Sequence, residues 1–244
     1  MSIKHSVATV IRIQRAPSCE GCSVRKLCLP VGLDPNELGQ LLDLVGTRPV
    51  LRSGDYVYRV GDPFHSLYAV KSGSIKTYGL TSDGKEQITG FHLPGELLGL
   101  DAIGSKAHNC HAVALEDTEV CRLPYSELQE LARGMPRLQH ELTCMLSREI
   151  QAENRTLLMI GKMSAEQRLA CFLHNLYLRS RQRGSELDAL RLPMSREDIG
   201  NYLGLTLETV SRRLGILQSQ GILSIDKRLI TILDMPALKS LCVT

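Results

Sequence analysis

The apolar positions of this chain change their period along its length, and each change marks an element. Leu38, Leu41, Leu42 and Val45 recur at helical spacing, and Asp34-Pro35-Asn36-Glu37 before them reads as an N-cap, a proline at the first helical position and a capping-box glutamate. A short helix is expected there, stopped by Gly46. From Arg48 the punctuation shortens: Ser53-Gly54, Gly61-Asp62, Ser72-Gly73, Asp83-Gly84 and Pro94-Gly95 follow at the interval of about 8–12 residues that separates short strands. Tyr56-Val57-Tyr58, Leu67-Tyr68-Ala69-Val70 and Ser74-Ile75-Lys76-Thr77-Tyr78 lie between them, so residues 48–124 are expected to form a β-sandwich or roll. After Pro124 the period turns helical. From Pro136 onward Thr143, Leu146, Ile150, Glu153, Leu157 and Ile160 alternate at three and four positions, the a/d seam of a coiled coil, with one carboxylate in it. The competing reading packs this stripe on the roll, with Glu153 at its margin.

A second helical pattern near the C-terminus is broken by glycine. Ser195 can cap a helix that ends at Gly204, and Thr206 can cap another that ends at Gly221. Val210, Leu214 and Leu217 share one face of the second helix, while Glu208, Ser211 and Arg212 share the opposite one. This is a helix-turn-helix pattern. Ile222 to Ile225 and Leu229 to Leu233 around Asp226-Lys227-Arg228 add a hairpin wing. Arg can grip guanine with two donors, Glu can accept from a cytosine amine, and Ser adapts to either base edge. The triplet alone fits a solvated helix face as well. Together with the turn, the wing and the basic neighbours Arg196, Arg213, Lys227 and Arg228 it predicts a DNA-reading surface.

Composition narrows the setting. A chain of 244 residues, 43% hydrophobic, can bury a real core and is long enough for two modest domains. A net charge of +3 identifies no partner by itself. Lys4, Arg12 and Arg15 flank the short apolar run Val7 to Ile11 without the longer core and cleavage site of a signal peptide. No apolar run reaches the roughly 18 residues that span a bilayer, so a cytoplasmic location with no membrane partner is expected. Thiols stay reduced there, and clustered cysteines favour metal or redox chemistry over disulfides.

Three of the eight cysteines, Cys19, Cys22 and Cys28, lie in one loop with the spacing Cys-x2-Cys-x5-Cys. Thiolates select zinc, copper(I) or iron–sulfur clusters, and a fourth ligand is required for zinc or a cubane cluster. The spacing is not that of a paired zinc ribbon, which disfavours zinc and leaves it open. Cys110 and Cys121 are the distant candidates. Cys144, Cys171 and Cys242 fall in helical or C-terminal contexts that suit inert thiols. His108 and His111 bracket Cys110, but no ligand-spacing rule lifts them above ordinary turn or core residues.

The cysteine loop, Glu86-Gln87-Ile88-Thr89-Gly90-Phe91-His92-Leu93, the long helix, and Gly200-Asn201-Tyr202-Leu203-Gly204-Leu205 followed by Glu208-x2-Ser211-Arg212 together resemble the FNR-type anaerobic regulators of the cyclic-AMP-receptor superfamily, from about residue 11 to 235. The resemblance implies an α+β chain: a cysteine loop and arm (1–30), a jelly-roll sensory domain of the cyclic-nucleotide-binding type (31–134), a dimerisation helix (135–161) and a winged helix-turn-helix (162–244). It implies an oxygen-labile 4Fe-4S cluster, a homodimer formed when the cluster is intact, and binding to double-stranded promoter DNA at a palindrome resembling TTGAT-N4-ATCAA. The fourth ligand it implies is Cys121, through the context Ala114-Leu115-Glu116 and Val120-Cys121-Arg122-Leu123-Pro124-Tyr125, and Cys110 is then an extra thiol. The superfamily's nucleotide sensors carry an Arg-Ser or Arg-Thr pair after a Gly-Glu-Leu turn. This chain has Gly95-Glu96-Leu97 but His108-Asn109, so no cyclic nucleotide is expected. Ser82-Asp83-Gly84-Lys85 resembles a family surface that touches RNA polymerase, and equally a plain hairpin turn. The expectation is a transcription regulator and not an enzyme. A nitric-oxide or other redox regulator with the same cluster, and a zinc-stabilised DNA-binding regulator, are the alternatives.

Overall fold

The computed structural model describes residues 19, 22–29, 31–45, 48–184 and 188–242. The arm with Lys4, Arg12 and Arg15 lies outside the described residues, as do the run Val7 to Ile11 and the expected stop at Gly46. Helix α1 (Pro35–Leu44) begins as its sequence predicts: the Asp34 carboxylate accepts from the Asn36 and Glu37 amides, and Glu37 reaches back to the Asp34 amide.

Eight strands then build the roll from two antiparallel sheets. One orders β1 (Val50–Leu51), β8 (Thr118–Pro124), β3 (Ser66–Ser72) and β6 (Leu97–Leu98); the other orders β2 (Tyr56–Tyr58), β7 (His111–Ala114), β4 (Ile75–Leu80) and β5 (Glu86–His92). Val70, Ile75, Leu98, Ala112, Ala114 and Val120 fill the space between them. Gly73 has φ of +80°, and a Cβ there would stand 2.6 Å from the Asp117 carbonyl, so this turn admits only glycine.

Helix α2 (Tyr125–Gly134) packs with α1 and the cysteine loop, sharing buried Leu29, Leu41, Leu128 and Ala132. Helix α3 (Pro136–Lys162) follows. It buries Leu138, Met145 and Met159, whereas Leu146, Ile150 and Leu157 are 38%, 58% and 69% exposed. Thr143 and Glu153 are exposed too, and Ile160 is half-buried. The stripe therefore does not pack on the roll, which overturns the competing reading of the sequence.

The last domain opens with α4 (Ala165–Gln182), which the sequence reading did not predict. Ser164 and Gln167 form its capping box, and Leu169, Ala170, Phe172, Leu173 and Leu176 form its buried face. Around it lie β9 (Ala189–Arg191), α5 (Arg196–Leu203), α6 (Leu207–Ser219), β10 (Leu223–Asp226), β11 (Leu229–Ile232) and α7 (Met235–Ser240). β9 pairs with β11 and makes the expected two-stranded wing a three-stranded sheet.

This domain docks on the roll. Phe91 of β5 meets Phe172 and Tyr202 edge-on with centroids 6.0 and 5.3 Å apart, within one apolar core that also holds Tyr78, Ile88 and Val113. Lys76 pairs with Asp198 at 2.8 Å. The Asn201 side chain accepts from the Ile88 amide at 2.6 Å and donates to the Glu86 carbonyl at 2.8 Å. Glu96 takes Arg179 at 2.9 and 2.6 Å and Arg183 at 2.5 Å. Burial alone would raise the Glu96 carboxyl, but the two guanidinium groups outweigh it and hold it below the ordinary carboxylate range. Arg168 braces the joint, donating to the carbonyls of Ile160, Met163 and Leu203. Among the described residues no helix is long and apolar enough to cross a membrane.

Candidate functional site

The cysteine loop reaches β8 through the packing of α1 and α2. Val24, Leu29 and Leu33 are buried under it, and the short 3-10 turn Arg25–Leu27 lies between its second and third thiols. Cys121 sits on β8 opposite Ala69 of β3. The fold thereby brings Cys19, Cys22, Cys28 and Cys121 to the wall of one cavity, which Arg25, Arg48 and Lys71 also line. Cys110 is not among them: its thiol lies 3.8 Å from Asp101 and 4.0 Å from the Tyr58 hydroxyl, inside the roll.

Burial is the main force on Cys19, Cys28 and Cys121. It raises Cys19, and it raises Cys28 to about 12 against the opposing pull of the Leu29 amide; neighbouring Cys121, Cys19 and Cys22 push Cys28 further the same way. It raises Cys121 to about 11 despite the nearby Arg48 charge. A soft cation has to displace those protons, and Arg25, Arg48 and Lys71 offset the negative charge that four thiolates bring. Among the described residues no three His, Cys, Asp or Glu side chains converge closely enough for a single metal ion. Sulfurs sharing one ion at bonds of about 2.3 Å must nearly touch, whereas a cubane offers each thiolate its own iron. Four thiols on one cavity wall are the donor set that a thiolate-bound metal or iron–sulfur cluster takes.

His108 and His111 do not join Cys110 in a metal site. His108 stacks on Tyr58 with centroids 3.6 Å apart, and His111 stacks on Tyr78 at 4.8 Å. Asn109 is tied to Asp101 by its amide at 2.8 Å.

The helix-turn-helix forms as its sequence predicts. Ser195 accepts from the Asp198 amide, Gly204 turns with φ of +64°, and Thr206 caps α6 by accepting from the Thr209 amide. Val210, Leu214 and Leu217 are buried. On the opposite face Glu208 and Arg212 are exposed, and the Ser211 hydroxyl accepts from Arg196 at 3.3 Å. The Glu208 carboxyl is held below its ordinary value by its own backbone amide and the Thr206 hydroxyl at the helix start. Lys227 stands exposed at the wing tip with φ of +55°. Arg213 belongs elsewhere: it pairs with Glu166 of α4 at 3.5 Å, which removes it from the expected basic neighbours of the DNA face. Arg228 donates to the Pro193 carbonyl and braces the wing. Ser82 to Lys85 is an exposed hairpin turn, with Lys85 on Asp83 at 2.6 Å.

Two family descriptions match the chain: a cyclic nucleotide-binding domain over residues 48–134 and a Crp-like helix-turn-helix domain over residues 167–241. It is 46% identical over 220 residues to the anaerobic regulatory protein of Pasteurella multocida (strain Pm70), covering 90% of this chain and 81% of that one. It is 44% identical over 223 residues to the fumarate and nitrate reduction regulatory protein of Escherichia coli (strain K12), covering 91% and 89%. The solved structure of FixK2 from Bradyrhizobium japonicum is similar at a TM-score of 0.76 and 36% identity, covering 82% of this chain and 99% of that one.

Proposed function

The chain belongs to the Crp/FNR family of DNA-binding transcription regulators, and from that premise we propose that it switches anaerobic gene expression through a 4Fe-4S cluster held by Cys19, Cys22, Cys28 and Cys121. The observation that carries this reading is the convergence of three loop thiols and one strand thiol on a single cavity with basic residues beside it. Bound there, a cluster would supply an oxygen-labile iron–sulfur centre. The residues around it hold thiolates, offset their charge and keep water away.

The remaining parts follow from placement. The seam Leu146, Ile150, Glu153, Leu157 and Ile160 is the homodimer face, because a run of exposed apolar side chains on a long helix needs a partner to cover it. Glu208, Ser211 and Arg212 read base edges of a palindromic promoter, and Lys227 contacts phosphate. A cyclic nucleotide is not the effector: His108 and Asn109 replace the arginine pair and are held by Tyr58 and Asp101, and Glu96 is engaged by Arg179 and Arg183. The hairpin Ser82 to Lys85 offers RNA polymerase an exposed turn. A DNA-binding regulator acts where its promoter is, which supports a cytoplasmic location.

The test is anaerobic purification followed by iron and sulfide analysis. About four of each per monomer are expected, with the visible absorption bleaching in air. Replacing any of Cys19, Cys22, Cys28 or Cys121 by Ser should abolish the signal, and Cys110→Ser should retain it. Retention in Cys121→Ser together with loss in Cys110→Ser would overturn the ligand set.

A further inference from the structure

One side chain on the DNA-reading face takes its direction from a neighbouring helix. Ser211 stands half-buried on α6, and its hydroxyl accepts from Arg196 Nη1 at 3.3 Å, across fifteen positions of chain. Arg196 is the exposed first residue of α5. That first turn is held from two sides: the Ser195 hydroxyl donates to the Asp198 carboxylate at 2.7 Å, and Lys76 of the roll donates to it at 2.8 Å. The Asp198 carboxylate is thereby engaged and does not compete for Arg196. Gly200 lets the turn close against α5, because a Cβ there would stand 2.7 Å from the Leu205 carbonyl. The Ser211 hydrogen is a separate matter. Thr143, Thr156, Ser219 and Ser240 each return a hydroxyl hydrogen to a carbonyl of their own helix, at 2.9, 3.1, 2.8 and 2.8 Å. Among the described residues Ser211 makes no such bond, and its hydrogen is left for the groove.

We propose that Arg196 is a positioning residue for sequence recognition: it commits the Ser211 hydroxyl to donate, so that Ser211 selects a base edge carrying an acceptor and rejects the cytosine amine. This rests on the base-reading role proposed above for the α6 face. A serine hydroxyl left to itself both donates and accepts, and so suits either kind of edge. A guanidinium only donates. The Ser211 oxygen must therefore turn a lone pair toward Arg196, which points its hydrogen away. The positive charge beside that oxygen also opposes the approach of a second donor. Thymine O4, guanine O6 and N7, and adenine N7 are the major-groove acceptors that remain. The direction of the Ser211 hydrogen is thus set from α5, whose first turn Lys76 ties to the roll.

The test is anisotropy titration of the cluster-loaded, full-length protein, kept anaerobic, against the palindrome and every single-base variant of one half-site. Ser211→Ala locates the base pair that the serine reads, as the position where discrimination against cytosine falls. Arg196→Met keeps a long side chain at an exposed position. It should lower discrimination at that same pair about fivefold and leave the preference at every other position unchanged. In the Ser211→Ala background, Arg196→Met should change no base preference. A residue that only contacts phosphate behaves otherwise, since its loss weakens binding to every sequence alike. Uniform weakening by Arg196→Met, an effect on preference that persists in the Ser211→Ala background, or a Ser211→Ala protein with preference intact would each overturn the inference. Arg212→Ala separates the two levels of the argument. If it relaxes its own position while Arg196→Met relaxes none, the reading face stands and the role of Arg196 falls; if neither Arg212→Ala nor Ser211→Ala relaxes any position, the reading face falls and this inference with it.

Discussion

Replacing Glu96 by Gln removes the charge that holds the winged domain against the roll. The carboxylate accepts three hydrogen bonds from Arg179 and Arg183 and a fourth from the Leu93 amide, and Gln keeps the shape while losing the charge. Removing one partner of a fully buried ion pair costs about 3–5 kcal/mol. Here the Glu96, Arg179 and Arg183 side chains are 31%, 23% and 14% exposed, so water partly replaces the lost partner. A cost of about 2–3 kcal/mol follows, in line with charge-assisted bonds of about 1.5–3 kcal/mol each that are only partly lost. The local reporter is the Ile88 amide, which is protected by Asn201 only while the domains are docked. Its hydrogen exchange is expected to speed up about 30- to 140-fold at pH 7, by the rule that 1.4 kcal/mol is tenfold. The pH dependence gives the sign. The folded carboxyl lies below its ordinary value, so its contribution is complete above about pH 4.3 and is lost as pH falls through the folded value. The wild-type advantage should therefore shrink in acid. Unchanged Ile88 exchange at pH 7, or an advantage of equal size at pH 7 and pH 3, would refute the argument.

Arg212→Ala and Glu208→Ala are each expected to relax base preference by about 1–3 kcal/mol per lost contact, read by titration against single-base variants of the palindrome. Lys227→Ala should lower affinity for all sequences alike and reduce the salt slope by about one phosphate contact. In the proposed parallel seam Glu153 would face its symmetry mate, and Glu153→Ala would remove that carboxylate. One helical turn away, burial, Glu96 and Glu153 raise the half-buried Glu149 carboxyl against the opposing pull of Arg179, so a carboxylate at Glu153 already disfavours charge on its neighbour. The cluster-free Glu153→Ala protein should dimerise at least tenfold more strongly in sedimentation and bind promoter DNA in air; a protein as monomeric as cluster-free wild type would remove Glu153 from the switch.

What the sequence made legible was local. Caps, turns and periods were enough for α1, the strands of the roll, α3 and the helix-turn-helix, because Asp34, Ser195, Thr206 and Gly204 act on amides a few positions away. Helix α4 carried the same kind of signal in Ser164 and Gln167, and reading that box would have found it. The docking was hidden for a different reason. Glu96 and Arg179 are 83 positions apart, and nothing near either one marks it as half of a pair. Arg213 shows the converse error, since a basic residue in a DNA-binding helix can face its own core and serve Glu166.

Asn201 does more than fasten one domain to another. β5 is the outermost strand of its sheet, and an outermost strand presents free amides and carbonyls on which another chain can build. The Asn201 carboxamide, giving one hydrogen and taking one, stands where a residue of the next strand would stand. A winged domain that swings away uncovers that edge together with Ile88 and Phe91, both otherwise buried. Any state of the regulator that frees its DNA-binding domain thus also exposes a template for strand-to-strand pairing with another chain.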